Sequence, residues 1–302
     1  MLRTYDILDG KVTEDDMGRI EVYIAPSDEE KRRLVQDFKL DEHTLTSSLD
    51  PDELSRLEFE PEHTAMIYKR PRNYSGTDGV LFKVSSTGIF LFRDRLIIVQ
   101  PEDLTLFDGK QFARVSTLNE VALKLIYRAI FHYLGHLRVM NSISEQLEHK
   151  INTAMENRYL INLFGLEKSL VYYVNSIHSN GILLEKLKHS SAKLDFSQEE
   201  QELLDDISVE NSQCFRQAEI YSNILASLMD ARASIVSNNI NVLMKTLNII
   251  TISIMMPTLV VSIFSMNVAL PLQTHRLAFW LVLVLSAIAA AGFILVWRRL
   301  RW

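Results

Sequence analysis

The sequence predicts an integral membrane protein: a soluble N-terminal part of the α+β class, long helices after it, and two transmembrane helices near its C-terminus. No charged residue occurs in 246–275 or in 277–297 of the 302 residues. Each run can cross a hydrocarbon core of about 30 Å as a helix. Strand and turn signals fill residues 1–115, whereas helical signals dominate after them. Two neighbouring apolar runs of this length argue against buried core helices.

The first predicted domain covers residues 1–115. Five of the seven prolines lie in it, and none occurs between Pro101 and Pro257, which sets the boundary. Its β-prone runs are short and are bounded by turn residues, as strands are. The last two of these runs have the spacing of a hairpin. The runs lie at 63–68, 80–84, 88–92 and 95–99.

The second predicted domain, 116–240, is a helical stalk. Capping-box pairs mark helix starts at Thr117 and Ser197. We expect two or three helices before Ser197, with interruptions near glycines. From Ser197 to Met256 there is no Gly or Pro, which predicts one helix of about 90 Å that continues into the first span. The interrupting glycines are Gly135, Gly165 and Gly181.

The third predicted domain, 241–302, contains transmembrane spans at about 246–266 and 277–297. Lys245 precedes the first span and three arginines follow the second, while only Arg276 is formally charged between them. The positive-inside rule therefore predicts that both termini are cytoplasmic and that the short loop between the spans lies outside. We expect a multi-pass protein of the inner or plasma membrane.

Polar side chains recur along one face of the predicted long helix. Alternating steps of four and three residues select nine polar residues and two methionines. Polar groups at membrane depth are costly unless they meet one another or water. They can serve as interhelical contacts or line an aqueous pathway, and a stripe of this length favours the pathway. We call these positions the polar stripe: Asp230, Ser234, Ser237, Asn241, Met244, Asn248, Thr251, Met255, Thr258, Ser262 and Ser265.

One such helix per chain cannot enclose a channel, so a pathway requires several copies around a symmetry axis. A lining of uncharged oxygens suits a hydrated cation better than an anion. The net charge of −6 per chain also favours cations over nucleic acid. The sequence contains no GxxxxGK[ST] phosphate loop and no catalytic triad that spacing would identify. We therefore expect neither an enzyme nor a bound cofactor.

The C-terminal residues resemble those of a known family. Ile-Phe-Ser-Met-Asn-Val at 263–268 lies between the two apolar runs, and the chain ends on Arg-Arg-Leu-Arg-Trp. Together with 241–247, these features resemble the CorA family of divalent-cation transporters, which carries Gly-Met-Asn at the outer end of its first span. The resemblance implies a funnel-shaped homopentamer with a cytoplasmic α/β domain, a long stalk helix and passive, potential-driven cation flux.

The resemblance also implies roles for the motif residues at 265–267. Asn267, with Met266, would hold a cation through its water shell at the outer mouth. That arrangement suits Mg²⁺, which gives up its waters reluctantly. Ser265 stands where the family has Gly. Because Gly reaches backbone conformations closed to other residues, we expect Ser265 either to strain or to change this turn.

Further positions of the first span would line the path. By resemblance, Asn241 would form an inner polar ring, and Leu247 and Met255 would form apolar constrictions that gate by dewetting. The polar stripe itself passes through Asn248 and Thr251. The resemblance thus favours Leu247 where the stripe favours its neighbour Asn248. A small rotation of the helix would exchange them, which is a hypothesis for gating.

An acidic cluster lies at the start of the long helix and consists of Glu199, Glu200, Glu202, Asp205 and Asp206. They can complement the helix N-terminus or form a regulatory metal site between subunits. By resemblance, Asp206 matches the family's acidic position at the subunit interface, and Asp230 matches the acidic ring low in the funnel. A cation bridging two subunits there would favour the closed state. His132 and His136 share a helix face and could bind Zn²⁺, but no third metal ligand is evident nearby, so we do not expect a metal site there.

The sequence therefore predicts a homo-oligomeric, passive divalent-cation channel or transporter gated by intracellular cation. Mg²⁺ is the leading substrate and the expected regulatory ligand, and Co²⁺ and Ni²⁺ are further candidate ions. One alternative is a Zn²⁺ transporter of the same superfamily. The other is a non-conducting membrane scaffold or regulator. The expected partners are further copies of the chain, divalent cations and the lipid bilayer.

Overall fold

The computed structural model divides the chain into two compact units, Met1–Leu228 and Met229–Trp302. The first unit contains a β-sheet with helices, and the second contains the apolar C-terminal part of one long helix and a further apolar helix. Most of the predicted outer loop lies outside the described residues. The described residues are 1–74, 81–154, 157–268 and 276–300.

A seven-stranded sheet forms the centre of the first unit. The strands are β1 (Leu2–Leu8), β2 (Lys11–Glu14), β3 (Ile20–Ile24), β4 (Arg56–Phe59), β5 (Thr64–Pro71), β6 (Val84–Leu91) and β7 (Leu96–Gln100). Their order is β2-β1-β3-β7-β6-β5-β4. Only the central β3–β7 pair is parallel, and all other neighbours are antiparallel.

Six α-helices accompany the sheet within the part of the chain that is described. They are α1 (Asp28–Asp37), α2 (Glu42–Ser47), α3 (Leu118–Ala154), α4 (Asn157–His189), α5 (Gln198–Phe264) and α6 (Ala278–Leu300). A short 3₁₀ helix, Lys110–Phe112, precedes α3. The predicted order of strands followed by long helices is confirmed.

Helices cover both faces of the sheet. The strands β5, β6 and β7 are buried along nearly their whole length, which is possible only when both faces are covered. On one face, Leu34 of α1 and Leu45 of α2 pack with Phe90 and Ile97 of the sheet. On the other face, α3 and α4 contact β5 and β6. The first unit is therefore a three-layer α/β/α arrangement.

The side chain of Asn180 completes the edge of β5. Pairing between β4 and β5 ends at Ile67, so the backbone of Lys69 lacks a strand partner on that side. Asn180 on α4 accepts a hydrogen bond from the Lys69 N–H (2.8 Å) and donates one to the Lys69 carbonyl (2.8 Å). Its Oδ1 also accepts from the Ser55 hydroxyl (2.8 Å). The carboxamide thus replaces a neighbouring strand where buried backbone groups need partners.

The predicted hairpin is confirmed as β6 and β7, which pair antiparallel. Two other expectations about local structure require correction. The β-prone run at 80–84 does not form a strand over 81–83, and β6 begins at Val84. The predicted interruptions at Gly135, Gly165 and Gly181 are wrong, because α3 and α4 run through them. The buried faces of these helices outweigh a cost of about 1 kcal/mol per glycine.

Replacing Asn180 by Ala should destabilise the first unit, because the Lys69 and Ser55 groups would lose their partners in a buried site. We expect the free energy of unfolding to fall by at least about 2 kcal/mol. The measurement is the denaturant midpoint followed by circular dichroism on the full chain in detergent. Asn175→Ala on the exposed face of α4 is the matched control. Equal midpoints for the two variants would contradict this account of the sheet edge.

Candidate functional site

The helices α5 and α6 both contain segments long and apolar enough to cross a membrane. Within the single chain, no residue in the most apolar window of α5 is fully buried, and almost none in that of α6 is. Exposed apolar surface of this extent requires lipid or another protein surface. The structure thus agrees with the two predicted spans in length and composition.

One face of α5 is half-buried within the second unit, and we call it the shielded face. From 241 to 264, every residue outside this face is exposed. The shielded residues recur at helical spacing, and α6 shows the same pattern, so each helix has one face that is less exposed than the rest. The shielded α5 residues are Ile249, Ser253, Met256, Pro257, Val260 and Phe264. Those of α6 are Ala278, Val282, Ser286, Ala289, Ala290 and Phe293.

The polar stripe lies on the opposite side of α5. All its positions from Asn241 to Ser265 are exposed. Since successive residues are about 100° apart around a helix, the stripe is centred roughly half a turn from the shielded face. Asn241, Asn248, Thr251 and Met255 therefore share one outward face. Leu247 and Asn248 lie on either side of its midline.

Several hydroxyl groups of the stripe turn their hydrogens toward their own helix. Thr251 Oγ1 donates to the Leu247 carbonyl (2.9 Å), and Thr258 Oγ1 donates to the Ile254 carbonyl (2.7 Å). A hydroxyl has one hydrogen to donate but two acceptor lone pairs. With the hydrogen already used, acceptors remain on the outward side. Such a surface can accept hydrogen bonds from the water shell of a cation.

The motif residues follow the C-terminal end of α5. The Ser265 N–H donates to the Val261 carbonyl (3.0 Å), and its hydroxyl donates to the Ser262 carbonyl (2.9 Å). Ser265 is not among the residues with a positive φ. The expected strain is therefore absent, because the helix end uses a conformation open to any residue. Met266 and Asn267 come next, and both are exposed.

Glu200 is a structural member of the acidic cluster. It is 5% exposed, and its carboxylate accepts hydrogen bonds from the Ser197 N–H (2.8 Å) and the Thr117 hydroxyl. The Ser197 hydroxyl accepts from the Glu200 N–H (3.2 Å), which completes a capping box. Thr117 also accepts from the Glu120 N–H (3.0 Å) at the start of α3. Both predicted helix starts are confirmed. The hydrogen bond from the Thr117 hydroxyl to Glu200 connects them.

Asp206 and Asp230 differ from Glu200 because both are exposed on α5. Within 1–74, 81–154, 157–268 and 276–300, neither carboxylate has a hydrogen bond or an ion pair, whereas Asp205 pairs with Lys188 (2.7 Å). No group of three or more His, Cys, Asp or Glu side chains in that same part could hold a metal ion. A cation at either aspartate would need ligands from a second copy of the chain.

His132 and His136 pack against each other, with ring centroids 4.4 Å apart. Burial lowers the pKa of His132 to about 3 and that of His136 to about 4, so both rings are neutral near pH 7. The His136 Nδ1 lies 2.7 Å from the Tyr173 hydroxyl. The two neutral rings therefore pack against each other, and His136 also contacts Tyr173 of α4.

Comparison with known proteins finds similarity over nearly the whole chain. Residues 22–299 match the family model described as CorA-like Mg²⁺ transporter protein. The cobalt/magnesium transport protein CorA of Methanocaldococcus jannaschii is 26% identical over 292 residues, which are 92% of this chain and 89% of that protein. These two matches connect the stripe-bearing helix with proteins named for cation transport.

Solved structures show the same fold. The complete structure of the CorA magnesium transporter from Methanocaldococcus jannaschii matches with a TM-score of 0.83 and 22% identity, covering 99% of this chain and 98% of that one. The full-length CmaX protein matches with a TM-score of 0.68 and 18% identity, covering 98% and 90%. Both matches extend across the sheet unit and the helices that follow it.

Four consecutive single-cysteine variants can test which face of α5 meets water. We expect Asn248→Cys and Thr251→Cys on the stripe to react with a small water-soluble thiol reagent in the membrane. Ile249→Cys is shielded and Ile250→Cys lies on the apolar exposed side, so both should react far more slowly. Native Cys214 contributes little background because burial raises the pKa of its thiol to about 12. Faster reaction at 249 or 250 would contradict the assignment.

Proposed function

This chain belongs to the family of CorA-like Mg²⁺ transporter proteins, and on that premise we propose that it is a passive divalent-cation channel whose path follows the polar stripe of α5. As a member of that family, it is an ion transporter with transmembrane helices and not an enzyme. One observation carries the proposal. The stripe is exposed and lies opposite the shielded face, so each copy can turn it toward a common axis.

The channel is a homopentamer in this proposal. A single chain supplies one stripe, and a closed ring of identical chains encloses a path without leaving an open interface. The resemblance to CorA supports five copies, with both termini in the cytoplasm. Lys245 and the C-terminal arginines support the same orientation under the positive-inside rule. Residues 1–115 and 116–240 would then form the cytoplasmic domain and its stalk.

Mg²⁺ is the ion that the lining suits best. Outward acceptors at Thr251 and Thr258 can bind the hydrogens of coordinated water. The carboxamides of Asn248 and Asn267 can do the same. Because Mg²⁺ keeps most of its waters, a path that recognises the hydrated ion does not have to strip them. Leu247 and Met255 would close this path when they meet at the axis, since an apolar constriction excludes water.

Uptake into sealed liposomes containing the purified full chain tests the function. We expect a membrane potential, negative inside, to drive uptake of Mg²⁺ and Co²⁺. Thr251→Val should lower Mg²⁺ uptake by roughly tenfold, equivalent to one hydrogen bond of about 1.4 kcal/mol. Ser253→Ala is the matched control, because its hydroxyl also bonds to a carbonyl one turn back but is shielded.

Other outcomes of the same assay would contradict the proposal and support a different function. An intact oligomer that takes up no divalent cation would identify a non-conducting scaffold. Uptake of Zn²⁺ that requires an imposed pH gradient would identify a proton-coupled zinc transporter. Equal loss of uptake in Thr251→Val and Ser253→Ala would move the path away from the stripe.

Regulation by internal cation is assigned to Asp206, with Asp230 as a second acidic ring. Both carboxylates are exposed, so a hydrated Mg²⁺ shared between neighbouring chains could hold the closed state. Asp206→Ala should therefore retain most of its flux at millimolar internal Mg²⁺, a concentration at which we expect the wild type to be inhibited. Glu202→Ala is the matched control, because it removes the same charge about one turn away. Unchanged inhibition in Asp206→Ala would remove this residue from the mechanism.

A further inference from the structure

A buried arginine in β5 lacks a counter-ion. Arg70 is 6% exposed, and its Nη1 donates one hydrogen bond, to Gln100 Oε1 (3.3 Å). Across residues 1–74, 81–154, 157–268 and 276–300, no carboxylate forms an ion pair with it. Burial, the largest cause, lowers the pKa of its guanidinium, and nearby Arg128 lowers that pKa further. A charge buried without a partner is expensive and calls for a ligand or another explanation.

The Arg70 guanidinium borders an open cavity of about 290 Å³ in the first unit. Two further basic side chains line it from α3, where Arg128 and His132 are one helical turn apart and share a face. Loops on either side add uncharged polar side chains. The polar lining consists of Arg70, Asn73, Thr105, Gln111, Arg128 and His132.

Charge around the cavity is unbalanced. Arg128 pairs with Asp108, both through the Asp108 carboxylate and through its backbone carbonyl. Glu102 is the acid that acts electrostatically on Arg70, but it pairs with Arg72 (2.9 Å). Two carboxylates, those of Glu102 and Asp108, thus balance only two of the three guanidinium groups of Arg70, Arg72 and Arg128. One positive charge beside the cavity remains without compensation. His132 adds no charge near pH 7, because burial lowers the pKa of its ring to about 3.

We propose that this cavity binds a phosphate-bearing anion through the guanidinium groups of Arg70 and Arg128. A planar guanidinium presents parallel N–H groups that match two oxygens of a phosphate. The two arginines come from different elements, so they can approach different oxygens of one tetrahedral group. Asn73, Thr105 and Gln111 can bind the remaining oxygens or an attached hydroxyl.

The size and lining of the cavity leave room for more than a single phosphate. Its volume is close to the lower end of small-molecule sites, which begin at about 300 Å³. Phe131 forms part of the wall and is 40% exposed. A phosphate ester with a planar organic part would cover that ring, whereas inorganic phosphate would not. The shared recognition element in both cases is the phosphate group.

Equilibrium binding to the purified full chain tests this site independently of ion flux. The probes are inorganic phosphate and adenosine monophosphate, followed by calorimetry in a chelating buffer at constant ionic strength. We expect saturable binding of at least one probe, with one site per chain. Arg70→Gln and Arg128→Gln should each raise Kd at least about tenfold, since each removes a charge-assisted contact. Arg3→Gln, which breaks a surface pair with Asp103, should leave Kd unchanged.

The outcomes distinguish a phosphate ester from inorganic phosphate as the ligand. Tighter binding of the nucleotide would identify a phosphate ester, and equal or tighter binding of phosphate would identify the inorganic anion. Either result supports the site when both arginine variants weaken it. Absence of binding at millimolar probe, or unchanged affinity in both variants, would overturn the proposal. Arg128 is partly exposed, so Arg128→Gln decides the question if Arg70→Gln fails to fold.

Discussion

Polar side chains on a membrane-spanning helix must meet water or other polar groups, and this constraint governs the second unit. The hydroxyls of Thr251 and Thr258 satisfy their hydrogens within the helix. The carboxamide of Asn248 has no such partner within the described residues and is exposed in the single chain. Placing it in lipid would cost free energy that only a second surface or an aqueous axis removes. Copies assembled around the stripe, as proposed above, would meet this requirement.

The same requirement separates structural from functional polar groups in the first unit. Asn180 is buried, but it bonds the free backbone edge of β5 and so belongs to the fold. Glu200 is buried, but it caps α5 and bonds Thr117 at the start of α3. Arg70 is equally buried and has one neutral partner. Its incomplete environment is why we assign it a ligand rather than a structural role.

The end of α5 shows how the fold accommodates a departure from the family motif. Gly is needed only where the backbone enters the left-handed region. Ser265 keeps helical hydrogen bonding and has no positive φ, so its Cβ carries no penalty from the backbone. A relative with 22% identity retains the same fold over 98% of its length. Hydrophobic patterning and helix length thus specify the architecture more strongly than individual residue identities do.

Features that depend on local chemistry could be predicted from the sequence alone. The two apolar runs follow from missing charge, the starts of α3 and α5 follow from capping residues three apart, and the stripe follows from helical periodicity. The β6–β7 hairpin is also local, because its strands are adjacent in the chain.

Features that join distant residues depend on how the chain folds and could not be predicted from the sequence. Helices continue through Gly135 and Gly181 because packing outweighs their low helix propensity. Glu200 became a cap shared by two helices because folding brings Thr117 beside it. Arg70 and Arg128 border one cavity because α3 lies across the strand that carries Arg70. Periodicity and spacing describe one segment at a time, whereas these contacts arise from how the segments pack against one another.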